Sequence, residues 1–388
     1  MIVFGDSNSD AGRRFNAPAS FDFEGIGPWP WRRLYDGPDS HEKTAAYMPK
    51  EGTATNGKVW PTWLRIPDEH NFATSSGGAT DTFKSRESCL GYTGEFEEMP
   101  TGILDEQIDR YLAEVVQYSN ETLDYTHVIF IGTNDINRAI AAQIRYATGG
   151  IGYQDPVPFN KIFQVDEDTG APILGNGLPV PDFGTVISEI IEAWSAGIVR
   201  LMQAGVTGKI LLANIGSPKG LSAVVAAPEQ LASLDAVTQF IRSATLGFNQ
   251  ISDQIKVLDM YTLFAKLVDE PSVFTDLGFT TGEGGLLADP CVTFNFRVDD
   301  QAEIMNTQTL RNENCQGTCA LCADSTSPCQ NCLEENPSIT KCDEPDSKIF
   351  YDGIHFTTRF HLVFGEAIRQ CSKDSPNYSR PLVSIMCP

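Results

Sequence analysis

The chain has 388 residues, 41 % of them hydrophobic, enough to build the core of one large α/β domain or two smaller ones. Its 28 basic and 51 acidic side chains leave a net charge of −23, which argues against nucleic acid or an anionic membrane as partner, since both select clustered Lys and Arg. No run of eighteen apolar residues occurs, so no membrane-spanning helix is expected.

Ile2-Val3-Phe4 reads as a short buried strand that ends in a turn at Gly5. From there to about Pro67 the chain is rich in Pro, Gly, Trp and Asp without periodicity, and a long surface excursion is expected. Trp29 and Trp31 flank Pro30 in this stretch; these two with Trp60 and Trp63 could line an acyl or sugar site, although packing is the reading adopted for them. Leu104, Ile108, Tyr111, Leu112, Val115 and Val116 recur at helical spacing and predict a helix over 104–118. Val128 to Ile131 is an unbroken apolar run bounded by Gly132, as in a strand buried on both faces. Ile136, Ile140 and Ile144 predict a helix to about Tyr146, and residues 148–181 are rich in Gly and Pro and expected to be irregular.

Val186 to Met202 carries a long amphipathic stripe that Gly205 and Gly208 stop. Lys209 to Ala213 is the next predicted strand, 228–254 a helical stretch, Val257-Leu258 the start of a short strand, and 262–268 a helix. Strands alternating with helices imply a parallel sheet covered on both faces. A helix over about 358–370 closes the pattern. No internal repeat or dividing linker is apparent, so one domain over 1–388 is expected, interrupted by a polar, Cys-rich insertion at about 291–347.

Six of the ten cysteines, Cys315, Cys319, Cys322, Cys329, Cys332 and Cys342, crowd into this insertion; Cys89, Cys291, Cys371 and Cys387 are scattered. Cys319-x2-Cys322 and Cys329-x2-Cys332 match the spacing of paired zinc ligands, but the six-residue spacer is short for a zinc ribbon. The even count suits disulfides in an oxidising compartment, which is the reading taken, with no bound metal. The tail to Pro388 is expected to be tied down through Cys371 or Cys387. Sequons at Asn120 and Asn377 fit secretion as a glycoprotein. Met1 is followed at once by a strand, with no signal peptide, so either the natural N-terminus lies upstream or the protein is not secreted; the cysteines make the first the expectation.

Four short blocks carry chemistry. Ser7, in Phe4-Gly5-Asp6-Ser7-Asn8-Ser9-Asp10, follows a strand and so stands at the carboxyl edge of a sheet, where α/β folds bind ligands. A serine attacks an ester efficiently only if a base removes its proton and donors hold the developing oxyanion. His355, one of five histidines, is the candidate base, and Asp352, three residues before it, the candidate orienting acid. Gly78, in Ser76-Gly77-Gly78-Ala79, and Asn134, in Gly132-Thr133-Asn134-Asp135, are candidate oxyanion donors together with the Ser7 N–H. Asp135 reads as a turn or solvated acid, and His361, six residues after His355, as a surface residue.

Together the blocks resemble the GDSL family of esterases and lipases, also called SGNH hydrolases, in its plant- and fungal-type members. Gly5-Asp6-Ser7-Asn8-Ser9-Asp10-Ala11-Gly12 is similar to the family's first block, 71–79 to the second, 132–135 to the third and 352–355 to the fifth. Asn56-Gly57-Lys58-Val59-Trp60, with Leu64, is similar to a further run of these members. The second block is longer by about two residues than usual, which leaves Gly77 open as the donor in place of Gly78. The common Pro after the catalytic His is Phe356, and the Cys-rich insertion has no counterpart in the pattern.

The resemblance implies a three-layer α/β/α flavodoxin-like fold with a central parallel sheet and no cofactor. It implies that Ser7 is the nucleophile, His355 the base and then acid, and Asp352 its orienting acid. The oxyanion hole is then Ser7 N–H, Gly78 N–H and Asn134 Nδ2. The expected activity is hydrolysis of a small-molecule, glycan or lipid ester through an acyl-enzyme. Transfer of the acyl group to another alcohol and a non-catalytic binding role on the same scaffold are the alternatives.

Overall fold

A computed structural model describes residues 1–11, 53, 55–74, 77–80, 102–136, 139, 164–165, 172–173, 182–220, 228–281, 287, 289–294, 339–351, 355–373 and 375–387. Its centre is a four-stranded parallel sheet: β1 (Ile2–Gly5), β2 (His127–Phe130), β5 (Ile210–Ala213) and β6 (Ile255–Leu258), adjacent in that order. Two small antiparallel pairs stand apart from it, β3 (Gln164–Val165) with β4 (Pro172–Ile173) and β7 (Val292–Phe294) with β8 (Ile339–Lys341). The chain is thus of the α/β class. The strand predictions at 2–4, 128–131 and 209–213 fall within a residue of the observed elements, and 255–258 begins two residues earlier than read.

Each sheet strand is almost wholly apolar because both faces are covered. Successive side chains alternate between two cores. Ile2, Phe4, Ile129, Ile210, Leu212, Ile255 and Val257 pack with α2 (Leu104–Tyr111), α3 (Phe183–Gln203) and α4 (Pro228–Leu246). Val3, Val128, Phe130, Leu211, Ala213 and Leu258 pack on the other face, with α1 (Trp60–Trp63), α5 (Met260–Asp269), α6 (Ser272–Thr275), α7 (Thr358–Cys371) and α8 (Pro381–Met386). Helix starts are fixed locally: Asp182 caps α3 by accepting from Thr185 N–H, Asp259 caps α5 through Thr262 N–H, and Thr357 caps α7 through Phe360 N–H.

One further stretch sets the topology. Residues 71–74 run parallel along the outer edge of β1: Phe72 N–H donates to Val3 O at 2.8 Å and Thr74 N–H to Gly5 O at 3.0 Å. The chain therefore leaves β1, crosses by way of α1 to one side, and returns by way of α2 to β2 on the other side. The winding direction reverses at β1, and a crevice opens beyond the strand ends at such a reversal.

Several expectations change here. The stretch before Pro67 is not all surface, because Val59 and Trp60 are fully buried and Trp60 Nε1 donates to Ser9 Oγ at 3.0 Å. Of the other tryptophans, Trp63 is partly exposed and donates to Thr358 O, while Trp29 and Trp31 lie outside the described residues. The predicted helix over 136–146 also falls largely outside them.

Cys342 does not pair within the Cys-rich cluster. It bonds Cys291 across the base of the insertion, beside Tyr351, where the β7–β8 pair brings the two chain ends together. Cys371 bonds Cys387 and ties the tail to α7, as expected. Cys89, Cys315, Cys319, Cys322, Cys329 and Cys332 lie outside the described residues. Asn120 and Asn377 are both exposed. No helix among the described residues is long and apolar enough to cross a membrane.

The Cys371–Cys387 bridge closes a loop with a sequence separation of 16, for which loop-closure entropy gives about 3 kcal/mol. A Cys371→Ser/Cys387→Ser double variant is expected to lower the stability extrapolated from urea unfolding by a corresponding amount, and the urea midpoint with it. An unchanged midpoint would mean that the tail holds by packing of Leu382, Val383 and Met386 alone.

Candidate active site

The turn that carries Ser7, the candidate nucleophile, follows from hydrogen bonding just past β1. Ser9 N–H and Asp10 N–H both donate to Asp6 O, at 3.0 and 2.9 Å, so the chain coils back at once. A Cβ on Gly5 would lie 2.8 Å from the Ser9 side chain and 3.1 Å from Phe130 O, so only glycine allows the coil to close this tightly. Asn71 Nδ2 donates to Ser9 O at 2.9 Å and fixes the turn to the edge segment. Ser7 is left half-buried at the carboxyl end of β1, at the point of reversal.

Its hydroxyl meets the candidate base. Ser7 Oγ lies 2.8 Å from His355 Nε2, across a sequence separation of 348. A return loop carries the imidazole: Tyr351 N–H donates to His355 O at 2.7 Å, Thr357 N–H to Ile349 O at 2.9 Å, and Phe350 pairs antiparallel with Phe356. Phe356 is buried among Phe264, Phe350, Phe360 and Phe364, so it anchors this loop to the core under α7. Asp352, the candidate orienting acid, lies outside the described residues.

Asn134 and Gly78 approach from β2 and the edge segment. Gly132, at φ +125°, turns the chain after β2, and a Cβ there would lie 2.9 Å from the Trp194 ring. Residues 133–136 are helical, which directs Asn134 to the strand ends. Asn134 Nδ2 donates to Gly77 O at 2.8 Å, one of the two hydrogens its amide carries. Gly77 N–H donates to Thr74 O at 2.9 Å, so this glycine's own donor is engaged within the turn.

Asp135 is fully buried, not solvated. It accepts from Ala79 N–H at 2.7 Å and from Thr80 N–H and Thr80 Oγ1 at 3.4 and 3.0 Å. A Cβ on Gly78 would lie 2.7 Å from its carboxylate, so Asp135 both shapes the turn and demands glycine at 78. The signal was in the sequence: an acid directly after a buried strand and a donor asparagine is well placed to take backbone donors.

Three more groups were missed or misread. Asp6 is buried, and loss of hydration pushes its carboxyl up to about 6; the Asn8 N–H and the nearby His355 oppose that shift, and Asp135 adds to it. A carboxyl thus stands one residue from Ser7 and gains its charge as pH rises through about 6. Asn8 is buried, with its Oδ1 3.5 Å from Phe356 N, beside the base loop. His361 is fully buried against the Phe356 ring, not on the surface, and among the described residues both its ring nitrogens lack a partner; burial drops its pKa to about 3.

No protein-family model and no curated protein matches this chain.

Proposed function

We propose that this chain is a serine hydrolase of carboxylic esters with the GDSL-type arrangement of site residues. The observation that carries the reading is the 2.8 Å approach of Ser7 Oγ to His355 Nε2 at the reversal point of a parallel sheet. Nucleophile and base within hydrogen-bond reach is the arrangement that acyl transfer needs. The order of residues 71–74, β1, β2, β5 and β6 is the 2-1-3-4-5 order of flavodoxin-like sheets, which supports the three-layer fold implied by the blocks.

In this mechanism Ser7 Oγ attacks the ester carbonyl carbon while His355 Nε2 takes its proton. The oxyanion is held by Ser7 N–H, Gly78 N–H and the second Nδ2 hydrogen of Asn134. Engagement of Gly77 N–H with Thr74 favours Gly78 as the backbone donor. His355 then protonates the departing alkoxide, and a water deprotonated by His355 releases the acid. Asp352 is assigned to the Nδ1 side of His355, where a carboxylate stabilises the imidazolium. The substrate classes proposed are lipid, acetylated glycan and other small esters, and the two disulfides among the described residues support an oxidising, extracellular setting.

Incubation of the purified protein with a fluorophosphonate, followed by peptide mapping, tests the reading. Labelling of Ser7 with loss of activity on a panel of p-nitrophenyl esters is expected. A protein that neither labels nor hydrolyses any ester on the panel would remove it.

Asn134→Ala is expected to lower kcat by about 10²- to 10³-fold with little change in KM, as for a donor used in the transition state. Steady-state kinetics on the best ester decide this. A rise in KM alone would make Asn134 a substrate-binding residue instead.

A further inference from the structure

α2 carries a polar residue on its buried stripe. Leu104, Gln107, Ile108 and Tyr111 all face the core, and Gln107 is 1 % exposed. Its amide is fully used. Gly5 N–H donates to Gln107 Oε1 at 2.8 Å, and Gln107 Nε2 donates to Gly5 O at 2.9 Å and to Gly102 O at 2.7 Å. The orientation of the amide is forced, because an N–H must meet its oxygen and two carbonyls must meet its nitrogen.

The side chain therefore completes the edge of β1 where the neighbouring segment departs. Gly5 O already accepts from Thr74 N–H, the last rung of that segment, and Gln107 supplies the next pair of bonds. Gly5 is the last residue of β1 and lies two positions before Ser7.

The same helix start is seated on the oxyanion turn. Leu104 N–H donates to Gly78 O at 3.1 Å. Gly102, at φ +71°, presents its carbonyl so closely to Gly77 that a Cβ there would lie 2.5 Å from it. One side chain thus bonds both the strand that ends at the nucleophile and the turn that packs on Gly77 and Gly78.

We propose that Gln107 is a positioning residue that fixes the distance between Ser7 and the oxyanion donor at Gly78 by clamping Gly5 to Gly102. This rests on the esterase reading of the site. Substrate binding does not call on the clamp, whereas attack and oxyanion capture do, because both need the two loops in register.

A Gln107→Glu substitution discriminates positioning from bulk packing. As a neutral acid the new carboxyl accepts from Gly5 N–H and donates to one of the two carbonyls. Once ionised it turns a bare oxygen towards Gly5 O and Gly102 O and breaks the clamp. Among the described residues, Asp6, Asp10, Asp135 and His355 are ionisable groups at this end of β1. Tyr111, one turn along α2, bonds His127 at the opposite end of the strand. Burial and the neighbouring aspartates hold the new acid neutral to higher pH than a free one.

The experiment is steady-state ester hydrolysis by wild type, Gln107→Leu and Gln107→Glu between pH 5.5 and 8. Amide hydrogen exchange at Gly5 and melting curves are followed on the same samples. Gln107→Leu is expected to lose about 10²-fold in kcat with KM within about threefold of wild type, while remaining folded. The kcat of Gln107→Glu relative to wild type is expected to fall at least about tenfold as pH rises, in step with faster Gly5 exchange. Wild-type kcat in folded Gln107→Leu, or a Gln107→Glu ratio flat with pH, would overturn the proposal. If wild type itself hydrolysed no ester, the esterase reading would fall, and unchanged Gly5 exchange in both variants would separately overturn the clamp.

Discussion

Ser7→Ala is expected to abolish ester hydrolysis, with a loss of at least about 10³-fold in kcat and an intact fold. The Ser7 side chain is half-buried and its hydroxyl meets His355 Nε2, whereas the turn around it is held by backbone bonds to Asp6 O and by Asn71. Removing the hydroxyl therefore takes away the attacking atom and leaves the scaffold. His355→Ala is expected to be nearly as damaging, and Asp352→Ala less so, because an orienting acid transfers no proton. Circular dichroism and a melting curve alongside the kinetics separate catalysis from unfolding. A Ser7→Ala protein keeping more than roughly a tenth of wild-type turnover would sink the assignment.

The second large effect concerns acid. His127 and His361 are buried and neutral, with folded pKa values lowered by desolvation to about 4 and about 3. His127 Nδ1 donates to Tyr125 O, which by itself favours the charged ring, and its Nε2 pairs with Tyr111 Oη; loss of hydration outweighs this and keeps the ring neutral. Both folded values lie below the unfolded histidine value of about 6.5. Their stabilising effect is complete above that pH and is lost as pH falls towards 4 and 3.

Asp6 acts in the opposite sense. Its carboxyl is raised to about 6, so it destabilises the fold when ionised and that cost is relieved as pH falls through 6 towards 4. At about 1.4 kcal/mol per pKa unit, the histidines lose about 6 kcal/mol between pH 7 and 4 and Asp6 recovers about 2, a net loss of about 4. Glu366, held down to about 2 chiefly by Arg369, adds its own loss only below about 4.5.

The sign is informative because the net charge of −23 predicts the reverse: protonation relieves self-repulsion and should stabilise the fold. Urea unfolding at pH 7, 5.5 and 4 measures the balance. A falling midpoint, less steep in His361→Phe, is expected. Stability that holds or rises down to pH 4 would refute the buried-histidine account.

The alternation of strands and helices was legible because its cause is local. A strand covered on both faces is an apolar run, and a helix on a sheet carries an apolar stripe, so Val128 to Ile131 and Val186 to Met202 declare themselves without their partners. The blocks around Ser7, Asn134 and His355 were legible because each joins a strand end or loop to residues of distinctive chemistry. Asp135 and His361 were misread because polar residues look solvated until the groups that cover them are known. Asp135 is buried by the Gly78–Thr80 turn, and His361 by the packing of α7 beneath Phe356.

The amino-acid order alone determined the element types, the candidate nucleophile and base, and the glycines needed at tight turns, since these depend on residues near one another in the chain. Only the tertiary structure decided which groups meet: Ser7 with His355, Gln107 with Gly5 and Gly102, and Cys291 with Cys342 rather than within its cluster. Hydrogen bonds and disulfides act over a few ångströms, while these partners stand up to 348 positions apart. Their pairing is set by the order in which the sheet's strands lie and the crossovers that connect them.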